Sequence, residues 1–277
     1  MAVFALHLGI SPAQLTRRNN PVSKAEETEF RVQRQLALER DNYVCQGCGI
    51  AIEPKSESGT QAAEQNTGAS AGGLEVHHIN YNPHDNSLGN LCTLCPFCHA
   101  TQHIGFFARR FQEAIQLIYC PEISQADLNL LSWTQAIVLL RIQDLVSSQA
   151  AVYRGKIMQL RDKLCARSDV LEPLFVPARA GEGQQSFPKQ KSQDVQMFAT
   201  LLGHLQQNNQ NIYDKRHIWL RNVRLYFDPC YHTSFTDHQN GNIVLRLSAT
   251  TAWQPQETWL ELWASIAKSM EAYWQRQ

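Results

Sequence analysis

Two matched Cys-x-x-Cys pairs constrain this chain more than any other feature. Cys45 and Cys48 form one pair and Cys95 and Cys98 the other, with 46 residues between Cys48 and Cys95. Four thiolates offered from two knuckles suit a d10 ion that accepts tetrahedral sulfur without redox demands, so the spacing specifies a structural zinc. Such an ion fastens a small core across whatever separates the knuckles, and its binding energy becomes folding energy. Residues 53 to 73 fall in that interval and contain no aromatic or branched aliphatic residue. They are expected to form a mobile insertion. Gly47 and Gly49 are expected to permit the tight backbone of the first knuckle. Cys92, Cys120, Cys165 and Cys230 read as small buried apolar residues outside the ligand set.

A second constellation lies beside the knuckles. His77, His78, His99 and His103 fall within 27 residues. His99 and His103 are spaced to share a helix face, and with His77 they form a candidate set for a second divalent ion, Mg2+, Mn2+, Ni2+ or Zn2+. His78 points away from His77 on a strand, which would leave it to act as general base on water attacking a phosphodiester. Asn90 would orient that histidine or hold the loop. The competing reading is that these are polar residues of a zinc module, kept for hydrogen bonding.

Around these motifs the chain is mostly helical. Ser23 and Glu26 form a capping box for a helix to about Arg40, with Phe30, Leu36 and Ala37 among its apolar positions. A helix from the second knuckle is expected to continue through Phe106, Phe107, Phe111, Ile115 and Ile118 until Pro121. Further helices are expected at about 125–147 behind a Ser124 cap, at 150–166, at 193–206 after a loop from 177 to 193, and at 257–275. Alternation of Ile243, Leu245 and Leu247 predicts a strand within 240–253, pairing with 219–227. Trp133, Trp259, Trp263 and Trp274 are candidate anchors for a partner, or fill the protein's own core. The organisation expected is an N-terminal core over 23–120 and a mainly helical region over 121–277, with a hairpin at about 219–253.

Formal charge is zero, from 25 basic and 25 acidic residues, so no global field draws this chain onto nucleic acid. A DNA contact would need a local patch such as Arg109, Arg110, Lys215, Arg216, Arg221 and Arg224. No stretch reads as a membrane span, and the CxxC usage points to a reducing compartment, the cytoplasm.

The run LEVHHINYNPHDNSLGNLCTLCPFCHATQH resembles the HNH endonuclease motif, in the subgroup whose ββα-metal core is braced by four cysteines. The resemblance implies an α+β fold: an HNH core with a four-cysteine zinc site, surrounded and followed by mostly helical structure. It further implies metal ligation by His77, His99 and His103, a general base at His78, and a central asparagine at Asn90. A broader resemblance, carried by FRVQRQLALERDNYVCQGCG, GNLCTLCPFC, IYCPEISQADLNLL, VYRGKI and HIWLRNVRLY, is to the IcmJ, or DotN, family of Dot/Icm type IVB secretion and related conjugation systems. It implies a non-cleaving subunit that binds the C-terminal tail of a coupling ATPase, peripheral to the inner membrane. The segment 228–256 is additional to that pattern, and the complete histidine set implies a DNA-cleaving enzyme instead. Both readings follow from the sequence.

Overall fold

The computed structural model describes residues 4–16, 19–52, 73–174, 191–237, 241–248 and 256–275. The expected insertion lies outside this set up to residue 72, as does most of the 177–193 loop. Helix α1 (Lys24–Arg40) starts on the expected capping box: Ser23 Oγ accepts from the Glu26 amide at 3.2 Å, and the Glu26 carboxylate accepts from the Ser23 amide at 2.7 Å. Acids in its first turn and Arg40 in its last complement the helix dipole. It buries Ala37 and Leu38, whereas Leu36 is exposed. Arg40 reaches across to the carbonyls of Leu88 and Leu91.

The core that α1 covers is a ββα unit. Strands β1 (Glu75–His78) and β2 (Leu91–Leu94) pair antiparallel, with His77 opposite Cys92 and His78 opposite Leu91. Helix α2 (Pro96–Gln102) follows at once, with Cys95 as N-cap and Pro96 at the position where its missing N–H is harmless. The HNH-type architecture expected from the sequence is therefore present, with helices around and after it.

Beyond His103 the structure departs from the expected single helix. Helix α3 (Ile104–Phe111) ends at Gln112, whose φ is +40°, and the chain continues as strand β3 (Ile115–Tyr119). Ile115 and Ile118 happen to continue the helical spacing of Phe107 and Phe111, but Ile115 through Ile118 are all buried, a strand covered on both faces. After β3 come α4 (Gln125–Leu140), on its Ser124 cap, and α5 (Ser147–Cys165). Next are α6 (Lys191–Asn208), and the short α7 (Gln210–Asp214) and α8 (Arg216–Trp219).

Strand β4 (Val223–Phe227) then pairs antiparallel with β3, Ile115 facing Phe227 and Tyr119 facing Val223. This corrects the expected hairpin over 219–253. Its second arm contains a short helix, α9 (Ile243–Ser248), because the Asn242 side chain accepts from the Leu245 amide at 2.7 Å and caps a helical turn. A two-residue ladder, Thr236–Asp237 with Gly241–Asn242, precedes it. Helix α10 (Gln256–Trp274) closes the described chain. Among the described residues no helix is long and apolar enough to cross a membrane.

One aromatic stack joins the ββα unit to the later helices. Phe97 of α2 lies between Trp133 of α4, at 3.8 Å between centroids, and Phe227 of β4, at 4.1 Å, with Phe235 against its edge. All four rings are fully buried. Trp133 is thus part of the core and no partner anchor. Trp263 is buried too, and Trp274 donates to Glu122; the side chain of Trp259 lies outside the described set.

Candidate metal centre

The four cysteine sulfurs converge, their ligand atoms within 4.8 Å of one another and all four residues buried. Cys48 and Cys95 Sγ are 3.7 Å apart. Tetrahedral zinc with bonds of about 2.3 Å sets sulfur–sulfur edges of about 3.8 Å. This is a structural zinc site, and three of its sulfurs accept hydrogen bonds. The Cys95 amide donates to Cys45 Sγ at 3.1 Å, Trp133 Nε1 to Cys95 Sγ at 3.2 Å, and Asn129 Nδ2 to Cys98 Sγ at 3.3 Å. Burial opposes ionisation of Cys45, but hydrogen bonds from Cys48, Cys95 and Cys98 outweigh it and hold that thiol well below its usual range. Burial pushes Cys98 well up. Four buried sulfurs ionise together only around a cation that shares their charge.

The knuckle glycines serve different ends. Gly49 has φ +77°, which favours glycine, while a Cβ on Gly47 would lie 3.0 Å from Cys98 Sγ and 3.1 Å from Leu6.

On the other side of α2, His77, His99 and His103 place one ligand atom each within 4.8 Å of the others. His77 comes from β1, His99 from α2 and His103 from its C-cap. His77 Nδ1 and His103 Nε2 are 3.1 Å apart, close to the edge of about 3.3 Å that tetrahedral bonds of 2.0–2.1 Å impose. His99 Nδ1 bonds the Glu75 carboxylate and His103 Nδ1 bonds Ser11 Oγ at 2.7 Å, so each keeps Nε2 for an ion. His77 Nε2 is buried without a hydrogen-bond partner. Burial, with His99 and His78 nearby, lowers the His77 pKa to about 2, and burial holds His103 well below its usual range. Three imidazoles in this arrangement, with His77 and His103 held neutral, fit a borderline divalent ion. The cysteine cluster and histidine triad together make an HNH-like metal-binding core.

His78 faces the opposite side of β1 from His77. Its ring stacks on Phe30 at 5.1 Å, and its Nε2 lies 3.1 Å from Asn86 Oδ1. The Asn86 amide nitrogen is directed at the Glu26 carbonyl and the Glu29 carboxylate, both acceptors only. Its oxygen must therefore accept from His78, which puts the His78 proton on Nε2 and makes Nδ1 the basic nitrogen. Asn90 takes the second of the two roles open to it. It accepts from the Asn80 amide at 3.0 Å and donates to Asn80 Oδ1 and the Asp85 carbonyl, closing the loop between β1 and β2.

Sequence reasoning missed Asn86, Glu75 and Ser11. Glu75 carried a signal, since it lies two residues before His77 on the same strand face. Ser11 carried none, being 92 residues from its partner.

The histidines open into a cleft of about 1060 Å3. Phe30 and Arg34 of α1 form one wall, and Phe106, Arg109 and Arg110 of α3 with Gln196 and Thr200 of α6 form the other. Phe106 is 55% exposed. The proposed basic patch is divided: Arg109 and Arg110 line this cleft, whereas Arg216, Arg221 and Arg224 line a separate recess. No protein-family model matches this chain, and no curated protein is detectably similar to it in sequence.

Proposed function

We propose that this protein is a divalent-metal-dependent endonuclease that hydrolyses phosphodiester bonds of DNA. The observation that carries the reading is the juxtaposition, on one short strand, of a metal-facing His77 and an oriented His78 at the base of an open cleft. His78 Nδ1 takes a proton from water, and the water oxygen forms the new bond to phosphorus as the bond to the 3′ oxygen breaks. Asn86 holds the tautomer in which Nδ1 is free of hydrogen. An ion held by His77, His99 and His103 would supply positive charge beside the phosphoryl oxygens and the leaving oxygen. Glu75 and Ser11 fix the rings of His99 and His103 for that task. Phe106 offers an apolar face for a base, and Arg34, Arg109 and Arg110 offer charge for the backbone.

The test is a cleavage assay with magnesium, manganese or nickel. His78→Ala is expected to retain fold and zinc and to lose activity by about 10²- to 10⁴-fold. Wild-type protein that cuts no DNA with any of these ions, or an equally active His78→Ala, would overturn the assignment.

A second reading, membership of the IcmJ/DotN family as a coupling-complex subunit, is favoured by one feature. The stretches that resemble that family, IYCPEISQADLNLL and HIWLRNVRLY, meet in the structure: Ile118 and Tyr119 at the end of β3 pair with Arg224 and Val223 of β4, and Gln125 bonds both the amide and the carbonyl of Leu225. On this reading the partner is the C-terminal tail of a coupling ATPase at the inner membrane. The expected result is co-purification of that ATPase surviving high salt; its absence from every pull-down would remove the reading.

A further inference from the structure

Behind the N-terminal segment Leu6–Leu8 lies a second recess of about 250 Å3, lined by His7, Arg216, His217, Arg221 and Arg224. Its remaining lining residues are neutral, and it shares none with the histidine cleft. In a chain with equal numbers of basic and acidic residues, such a concentration of one sign is unexpected by chance. Two of the three arginines are held by backbone carbonyls. Arg216 Nε donates to the Leu8 carbonyl at 3.0 Å, and Arg224 donates to the carbonyls of Ile123 at 2.8 Å and Arg221 at 2.6 Å. Of two acids on neighbouring segments, Asp127 bonds Ser124 Oγ, and Glu122 pairs with Arg167 while its charge also acts on Arg224. Ser124 is the N-cap of the 16-residue α4, so the positive end of that helix faces the same recess. The field is felt by His7, whose pKa is lowered by burial and then by His217, Arg216 and Arg224.

We propose that this recess is a binding site for a phosphate group, carried by a nucleic-acid backbone or by a free phosphate. Guanidinium groups match tetrahedral oxyanions, and those of Arg216 and Arg224 are oriented in advance by the carbonyls they already bond. One carboxylate would leave most of the converging charge unanswered; a phosphate dianion or a run of backbone phosphates answers more of it. The site stands independently of the chemistry at His78, since neither its residues nor its charge depend on the histidine triad.

The experiment is titration of the full-length, zinc-loaded protein with inorganic phosphate, followed by calorimetry, and with a single-stranded oligonucleotide, followed by fluorescence anisotropy without added divalent cation. Arg221→Gln and His217→Gln alter exposed side chains and should fold normally. Each is expected to weaken phosphate binding on the order of tenfold, as loss of one charge-assisted contact does. His99→Ala, which touches only the histidine centre, should bind phosphate as wild type does. Should Arg221→Gln also weaken the oligonucleotide and reduce its salt dependence by about one ion, the phosphate belongs to nucleic acid. Unchanged oligonucleotide affinity beside lost phosphate binding identifies a free phosphate as the ligand. Wild-type protein that binds no phosphate, or binding that both variants leave intact, would overturn the proposal.

Discussion

Cys98 and His99 are adjacent on α2, yet they belong to two centres built on opposite principles. The cysteine cluster is sealed, with all four residues buried and two donors from α4 on its sulfurs. The histidine triad opens into a cleft, and its outer partners, Glu75 and Ser11, lie at the rim. One helix turns a residue by about 100°, enough to aim neighbours at different surroundings. The comparison teaches that metal-ligating residues divide by what surrounds them. A saturated, dry shell holds a fold together, and an open, half-wet one leaves room for substrate.

The comparison is broken most severely at the sealed centre. Cys98→Ser should give an insoluble or molten protein, because structural zinc contributes about 10–16 kcal/mol of apparent binding energy that is also folding energy; near-UV circular dichroism of whatever is soluble would show the loss. Next is Trp133→Phe, which keeps the stack on Phe97 but removes the N–H to Cys95 Sγ, and should lower stability by about 1–3 kcal/mol in urea unfolding with zinc content unchanged. At the open centre, on the proposed nuclease reading, Asn86→Ala should leave metal content unchanged but slow cleavage on the order of tenfold, since a partner of a general base fixes tautomer and orientation. Equal rates for that variant and wild type would show that Asn86 only packs. Smallest is the effect of His99→Ala on stability, expected at about 1 kcal/mol because a partly exposed pair with Glu75 and edge-on ring contacts with His77, His103 and Phe107 are lost.

What could be read from the sequence follows the same division. The zinc ligands were legible because four identical residues at fixed spacing admit few explanations, and the α1 capping box because its chemistry is local. The pairing of β3 with β4 was not, since strands about a hundred residues apart leave no local trace. Ile115 and Ile118 were misassigned because a buried strand and the flank of a helix share a composition. Asn242 carried the signal that would have corrected 243–248, a helix cap before an apolar run. Of the histidine centre, the three histidines that converge were legible, but the residues that orient them were not. Asn86, Glu75 and Ser11 matter through where the fold brings them, as does Trp133, which lies 38 residues from the sulfur it bonds.

The central claim is that the chain holds two independent metal centres, one sealed and one exchangeable. It is tested most directly by counting bound metal in wild type and His99→Ala after dialysis against a mild chelator, then titrating each with nickel or manganese. The account predicts one zinc per chain retained by both proteins, and one further ion taken up by wild type alone. A wild type retaining less than half an equivalent of zinc, or a His99→Ala that takes up the second ion as readily as wild type, would contradict it.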